Sequence, residues 1–268
     1  MGPRVGVLEW RPRHYIKVTD YASKSVIKVL PADSLLDAAN LMIRFKIRHL
    51  PVTDTEGRVI GLIGIRDVAD ALLKKGRERL EEEKVVDWMN DQPVKVSEDV
   101  SLHKAVELML ETGVGSIVIT DDMDVIKGIL SEKDVVKFLS VVPSIEAVAN
   151  VASPISTYVL AGSSVREVLE LMMELWSKHL VMSREGKVVG VISMLDLVKK
   201  ALEDGLSAPA DDAVKRTEVL PPEAPISLAA AIMVSKNKEA LLVGRKEPDS
   251  IVTEKNMVRG ALEVLSKL

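Results

Sequence analysis

The chain has 268 residues, 47% of them hydrophobic and only 3% aromatic, and its formal net charge is −4, from 36 Lys and Arg against 40 Asp and Glu. A chain of this size and apolar content buries roughly three quarters of its unfolded surface and is not disordered, and its interspersed charges argue against nucleic acid as a main partner. Cysteine is absent, which removes disulfides, thiolate metal sites and cysteine nucleophiles, and the four histidines (His14, His49, His103 and His179) are too scattered for a zinc spacing.

The first residues, Met1, Gly2, Pro3 and Arg4, carry no apolar signal core, and Pro3 speaks against a myristoylation site. No apolar run approaches the roughly 18 residues of a membrane span, so the chain reads as cytoplasmic. Arg4, Trp10, Arg11, Arg13 and His14 read as an ordinary terminal arm. A strand is expected over 26–29, then a helix from Ser34 whose second, fifth, sixth, eighth and ninth positions are apolar. Short β-branched strands over 50–53 and 59–63 flank an Asp54 to Gly57 turn, and a second helix starts near Arg66. The charged connector 74–84 reads as a solvated extension of that helix.

The same order then recurs. Strands over 94–96, 155–158 and 217–219 precede helices from Ser101, Ser164 and Pro225, which keep the apolar pattern of the first and place Met42, Met109, Met172 and Met233 on the core face. Hairpins over 116–130, 179–192 and 240–252 follow, and second helices start at Glu132, Met194 and Glu254. Ser34, Ser101 and Ser164 are candidate caps, Asp37 and Glu167 complete capping boxes, and Pro225 suits a first helical turn. The interval from helix start to hairpin end (34 to 61, 101 to 128, 164 to 190, 225 to 250) is nearly constant. Spacing alone therefore establishes four β-α-β-β-α repeats, an α+β chain. One unit exposes an apolar sheet face, so two pairs are expected: residues 1–143, with repeats at about 16–75 and 85–140, and residues 144–268, with repeats at about 148–202 and 213–268.

The hairpin ends hold the informative residues. Gly61, Gly128 and Gly190 each precede two apolar residues, then Gly64, Ser131 or Ser193, and three residues later Asp67, Asp134 or Asp196. The fourth copy reads Ser250, Thr253 and Asn256. These stretches resemble the Gly-apolar-apolar-Ser/Thr-x-x-Asp signature of the CBS domain, a module that binds adenosyl ligands. Four such repeats without a catalytic domain resemble the gamma subunit of AMP-activated protein kinase and stand-alone archaeal CBS proteins. The resemblance implies two pseudo-twofold CBS pairs packed as a flat disk, with nucleotide phosphates converging near its centre.

It further implies that Asp134, Asp196 and Asp67 accept the ribose hydroxyls, through charge-assisted hydrogen bonds of about 1.5–3 kcal/mol each. Ser131, Ser193 and Thr253, at helix starts, would meet phosphate. Arg48, His49, Lys178 and His179, at equivalent strand starts, would read phosphate, as would Lys133 and Lys255, with Arg66 at the matching place in repeat one. Gly61, Gly128 and Gly190 would allow close backbone approach. Ser-x-x-Asp at a helix start is also a cap that requires no ligand. Gly64 weakens the first copy, and Ser250 with Asn256 makes the fourth doubtful.

The implied function is a non-catalytic regulatory protein that senses AMP, ADP or ATP, with a kinase or other enzyme as regulated partner and a homodimer as a further assembly. S-adenosylmethionine or methylthioadenosine is the alternative ligand class, and a scaffold without a small-molecule ligand the alternative of another kind. No P-loop, dinucleotide-binding glycine motif or nucleophile elbow points to an enzyme.

Overall fold

The computed structural model describes residues 16–268, so Arg4, Trp10, Arg11, Arg13 and His14 lie outside the described residues. Eight α-helices and twelve strands follow one another in four rounds of the same order among them. The first helix of each round is α1 (Leu35–Phe45), α3 (Leu102–Thr112), α5 (Val165–Glu174) or α7 (Ile226–Ser235), and the second is α2 (Ile65–Lys75), α4 (Glu132–Val141), α6 (Met194–Asp204) or α8 (Glu254–Lys267). Ser34, Ser101 and Ser164 accept the third amide of their helices, which satisfies one of the donors a helix start leaves open. Glu167 completes its box at 2.7 Å from the Ser164 amide, whereas Asp37 bonds the Ser34 hydroxyl instead. Pro225 stands at the cap itself, one residue before the first helical turn expected for it.

Each pair of helices brackets an antiparallel hairpin: β1 (His49–Thr53) with β2 (Val59–Gly64), β4 (Ser116–Thr120) with β5 (Ile126–Ser131), β8 (His179–Arg184) with β9 (Lys187–Ser193), and β11 (Ala240–Gly244) with β12 (Pro248–Thr253). The four registers are equivalent, pairing His49 with Gly64, Ser116 with Ser131, His179 with Ser193 and Ala240 with Thr253. The leading strands β3 (Lys95–Ser97), β7 (Tyr158–Leu160) and β10 (Val219–Leu220) add in parallel to their own hairpins, while in repeat one only Val29 makes that bridge, to Val52. The short strand β6 (Ser153–Pro154) joins β12 of repeat four.

The last pairing is one case of a general exchange. The stretch ahead of each leading strand crosses to the partner hairpin: Ser23 to Ile129, Asn90 to Leu62, Ser153 to Ile251 and Lys215 to Val191. Repeats one and two are thus laced together reciprocally, and so are repeats three and four. The helices add a second connection, because one apolar core combines those of repeats one and three and another those of repeats two and four.

The connector after α2 differs from the expected helix extension. Gly76, with φ of 80°, ends the helix, a short 3-10 turn over Arg77–Arg79 follows, and fully buried Leu80 anchors the loop in the core. No helix of the described residues is long and apolar enough to cross a membrane.

Candidate functional site

The first residue of each second helix donates its amide to the carbonyl of the residue just before the hairpin: Ile65 to Arg48, Glu132 to Gly115, Met194 to Lys178 and Glu254 to Glu239. That bond fixes eight residues, seven of them with side chains, around the meeting point of the four repeats. Arg48 is buried there and ion-pairs with Glu132 at 3.2 Å, with Glu239 at 3.1 Å and with Glu254. Lys178 reaches Glu132 at 2.9 Å, and His179 Nε2 lies 3.0 Å from a Glu239 carboxylate oxygen. Of the residues expected to read phosphate, Arg48, Lys178 and His179 are therefore bonded to carboxylates of this same chain.

The electrostatics follow from burial opposed by close charge. Burial disfavours the Arg48 cation, yet Glu254, Glu239 and Glu132 outweigh it and hold the guanidinium above its ordinary value. Burial would raise Glu132, but Lys178 and Arg48 bring it below the usual carboxylate range. Glu239 is likewise lowered, by the His179 hydrogen bond and Arg48 against burial. In Glu254 burial wins and the carboxyl is raised despite Arg48. Burial and the neighbouring Lys178 push His49 down to about 3, so its imidazole is neutral.

Glu132, Glu239 and Glu254 are the members of this cluster that the motif did not flag. The signal was nonetheless present: repeats two and four carry Glu132 and Glu254 after the motif hydroxyl, where repeats one and three have Ile65 and Met194. Arg48 and Lys178 occur at the strand starts of repeats one and three only. The charges are complementary between alternate repeats.

Two cavities are lined by motif carboxylates. The larger, about 470 Å³, lies under the leading segment of repeat four and is lined by Ser193, Asp196, Lys215, Arg216 and Lys238 together with Lys46 of repeat one. The Ser193 hydroxyl donates to Asp196 Oδ2 at 2.6 Å, and Lys215 donates to Oδ1 at 2.6 Å. The smaller, about 120 Å³, lies under the leading segment of repeat one and is lined by Ser23, Ile27, His49, Ser131, Lys133 and Asp134. The Asp134 side chain is 3% exposed and already engaged by Ser131, Lys137 and Ser23, whereas the Asp196 side chain keeps 20% exposure.

At the other two motifs the end residue is engaged by the protein itself. In repeat one Asp67 accepts the Gly64 amide at 2.7 Å, and with that single bond burial pushes its carboxyl up to about 6. Arg66 stacks on the Trp176 ring at 4.8 Å rather than facing a phosphate position. In repeat four the Asn256 amide donates to the Val151 carbonyl and the Ser153 hydroxyl, both at 2.9 Å, and Thr253 donates its hydroxyl to Asn256 Oδ1. Lys133 donates to Asn237 at 3.3 Å, and Lys255 is exposed and lines neither cavity.

The hairpin glycines serve close approach, but to protein. A Cβ on Gly190 would come within 2.5 Å of the Lys215 carbonyl, one on Gly128 within 3.3 Å of the Ser23 carbonyl, and one on Gly61 against Met89. Each makes room for the segment that crosses from the partner repeat.

A family model described as the CBS domain matches residues 18–74, 85–141 and 148–203. The fourth unit lies outside those matches and shares their element order, its motif altered at Ser250 and Asn256. An uncharacterized 33.4 kDa protein in the ribosomal RNA operon of Thermofilum pendens is 24% identical over 260 residues, 87% of each chain. An inosine-5′-monophosphate dehydrogenase of Methanocaldococcus jannaschii is 36% identical over 121 residues, which are 45% of this chain and 23% of that enzyme. The crystal structure of protein MJ1225 of the same organism, described as a proposed archaeal homologue of g-AMPK, superposes with a TM-score of 0.81 at 22% identity, covering 91% of this chain and 99% of that one. With more than half of its length in three matched units, the chain belongs to the CBS domain family.

Proposed function

We propose that this chain is a non-catalytic regulatory CBS protein that binds an adenine nucleotide (AMP, ADP or ATP) in the cavity beside Asp196. The observation that carries the reading is that cavity. Its 470 Å³ falls within the roughly 300–1,000 Å³ of small-molecule sites, and it presents a motif carboxylate, a helix-start hydroxyl and several cations together. Asp196 holds the ribose, and Ser193, at the helix start, donates to its carboxylate. Occupancy is transmitted to a regulated enzyme or to a second copy of the chain through the ligand's differential affinity for two arrangements of the pairs 1–143 and 144–268.

Calorimetric titration of the full chain with AMP and ATP tests this. Saturable binding is expected, and Asp196→Ala weakens it by about tenfold or more, the loss of one charge-assisted bond. Wild-type protein that binds no adenine compound would remove the reading.

A specific observation favours a second ligand class at Asp134. Arg48, which lines its cavity, is neutralised by Glu132, Glu239 and Glu254. A phosphate-free adenosyl compound such as methylthioadenosine or S-adenosylmethionine suits that cavity better than a nucleotide. Competition between S-adenosylmethionine and AMP separates the two: additive binding supports two ligand classes, and mutual exclusion supports one shared site.

A further inference from the structure

The cavity at Asp196 holds more cations than its own carboxylates can satisfy. Lys215 is held by Asp196, and Lys200 by Asp204 and Asp212. Lys199 stands 3.8 Å from Glu203. Three cations remain. Among the described residues Lys46 and Arg216 make no ion pair, and Lys238 donates only to the Arg216 backbone carbonyl, at 2.6 Å. They come from three places in the fold: the left-handed residue that ends α1 in repeat one, the leading segment of repeat four, and the residue two before β11.

The inner wall has the opposite character. Glu239 lines the cavity and is committed to His179 and Arg48; Arg48, His49 and Lys178 do not line it, and His179, which does, is bonded to that carboxylate. A phosphate chain leaving a ribose at Asp196 is repelled from that end and drawn toward the three unmatched cations.

From this, and resting on the reading of Asp196 as the ribose anchor, we infer that Lys46, Arg216 and Lys238 are the phosphate-reading residues of this site and select a nucleoside di- or triphosphate over a monophosphate. Arg48, His49, Lys178 and His179 serve the architecture instead. Each added phosphate group contributes negative charge that the unmatched cations receive, whereas one phosphate can occupy only part of the set. Because Lys46 belongs to repeat one and Asp196 to repeat three, a ligand long enough to touch both ties the two halves of the chain together.

Titrating the full chain with adenosine, AMP, ADP and ATP, alongside Lys46→Ala, Arg216→Ala, Lys238→Ala and their triple combination, tests the inference. Affinity is expected to climb from AMP to ATP. Each single variant lowers the ATP-to-adenosine affinity ratio about threefold and the triple variant about tenfold or more, as losses of partly exposed charges do, with adenosine affinity unchanged. Lys46→Arg retains most of the preference, and raised salt diminishes it in the wild type. Equal affinity for AMP and ATP, or a ratio that none of the variants moves, would overturn the inference. If adenosine binds, Asp196→Ala weakens it and the ratio still does not move, only the phosphate assignment falls. If no adenine compound binds the wild type, the assignment falls together with the proposed function.

Discussion

Arg48 in repeat one and Glu254 in repeat four, 206 positions apart in the chain, share a buried ion pair at the meeting point of the four repeats. Removing one partner of such a pair leaves a charge without its counterion in a medium that solvates it poorly. Arg48→Met strands Glu254 and leaves Glu132 to Lys178 and Glu239 to His179, and is expected to cost about 3–5 kcal/mol in urea denaturation. Adding Glu254→Gln should recover part of that loss, a coupling that the double-mutant cycle measures. A cost below about 1 kcal/mol, the range of exposed pairs, would show the cluster to be solvated.

Asp67 gives a pH dependence of defined sign. Its carboxyl is raised from 3.8 to about 6, because burial outweighs the Gly64 amide. The folded chain therefore keeps a proton that the unfolded chain releases, and the stability this proton confers is complete below pH 3.8 and lost as pH rises through about 6. Asp67→Asn keeps an acceptor for the Gly64 amide without the charge. It is expected to raise stability by about 1–2 kcal/mol at pH 7 and to add nothing at pH 4, read from denaturation curves at the two pH values. A gain of equal size at both would assign the effect to something other than ionisation.

In repeat four, restoring the family aspartate should not restore a site. Asn256→Asp replaces an amide that donates to the Val151 carbonyl with an oxygen that repels it. A loss of about 1–3 kcal/mol is expected, as for a buried group deprived of its partner, with unchanged nucleotide stoichiometry in calorimetry. One additional bound nucleotide per chain would contradict the account of a fourth motif engaged by the protein itself.

The glycines give a graded comparison. Gly190→Ala directs a methyl group at the Lys215 backbone, which cannot move without breaking its bridge to Val191, while Gly128→Ala meets the Ser23 carbonyl at a softer 3.3 Å. The first substitution is expected to cost about 1–3 kcal/mol by overpacking and to weaken ligand binding at Asp196, and the second to cost less. Thermal denaturation of both variants checks the order, and a reversed order would mean that the crossing segments yield easily.

Much of this architecture could be read from residues alone. The helix caps at Ser34, Ser101 and Ser164, the Met-bearing core faces and the constant interval to the hairpin end are local patterns, and local patterns survive in sequence. The expected leading strands fall one or two residues early in repeats two and four and two or three early in repeat three, because pairing partners decide where a two- or three-residue strand falls. The connector after α2 looked solvated because its charges hide one apolar residue, Leu80, whose burial depends on a core shared with another repeat. The site was legible to the level of its motif and no further. That Arg48 and Lys178 face Glu132 and Glu254, rather than open space, follows from which repeats meet, and no single repeat contains that fact.

The crossing of each leading segment onto the partner hairpin has a consequence for how the chain can come apart. Gly205 sits in the loop that joins repeats three and four, and the strip that closes over repeat three, around Lys215, lies beyond it. Severing the backbone at that loop would cut the thread and leave the knot: the two pieces stay clasped by the Lys215 and Val191 amides on one side and by β6 on β12 on the other.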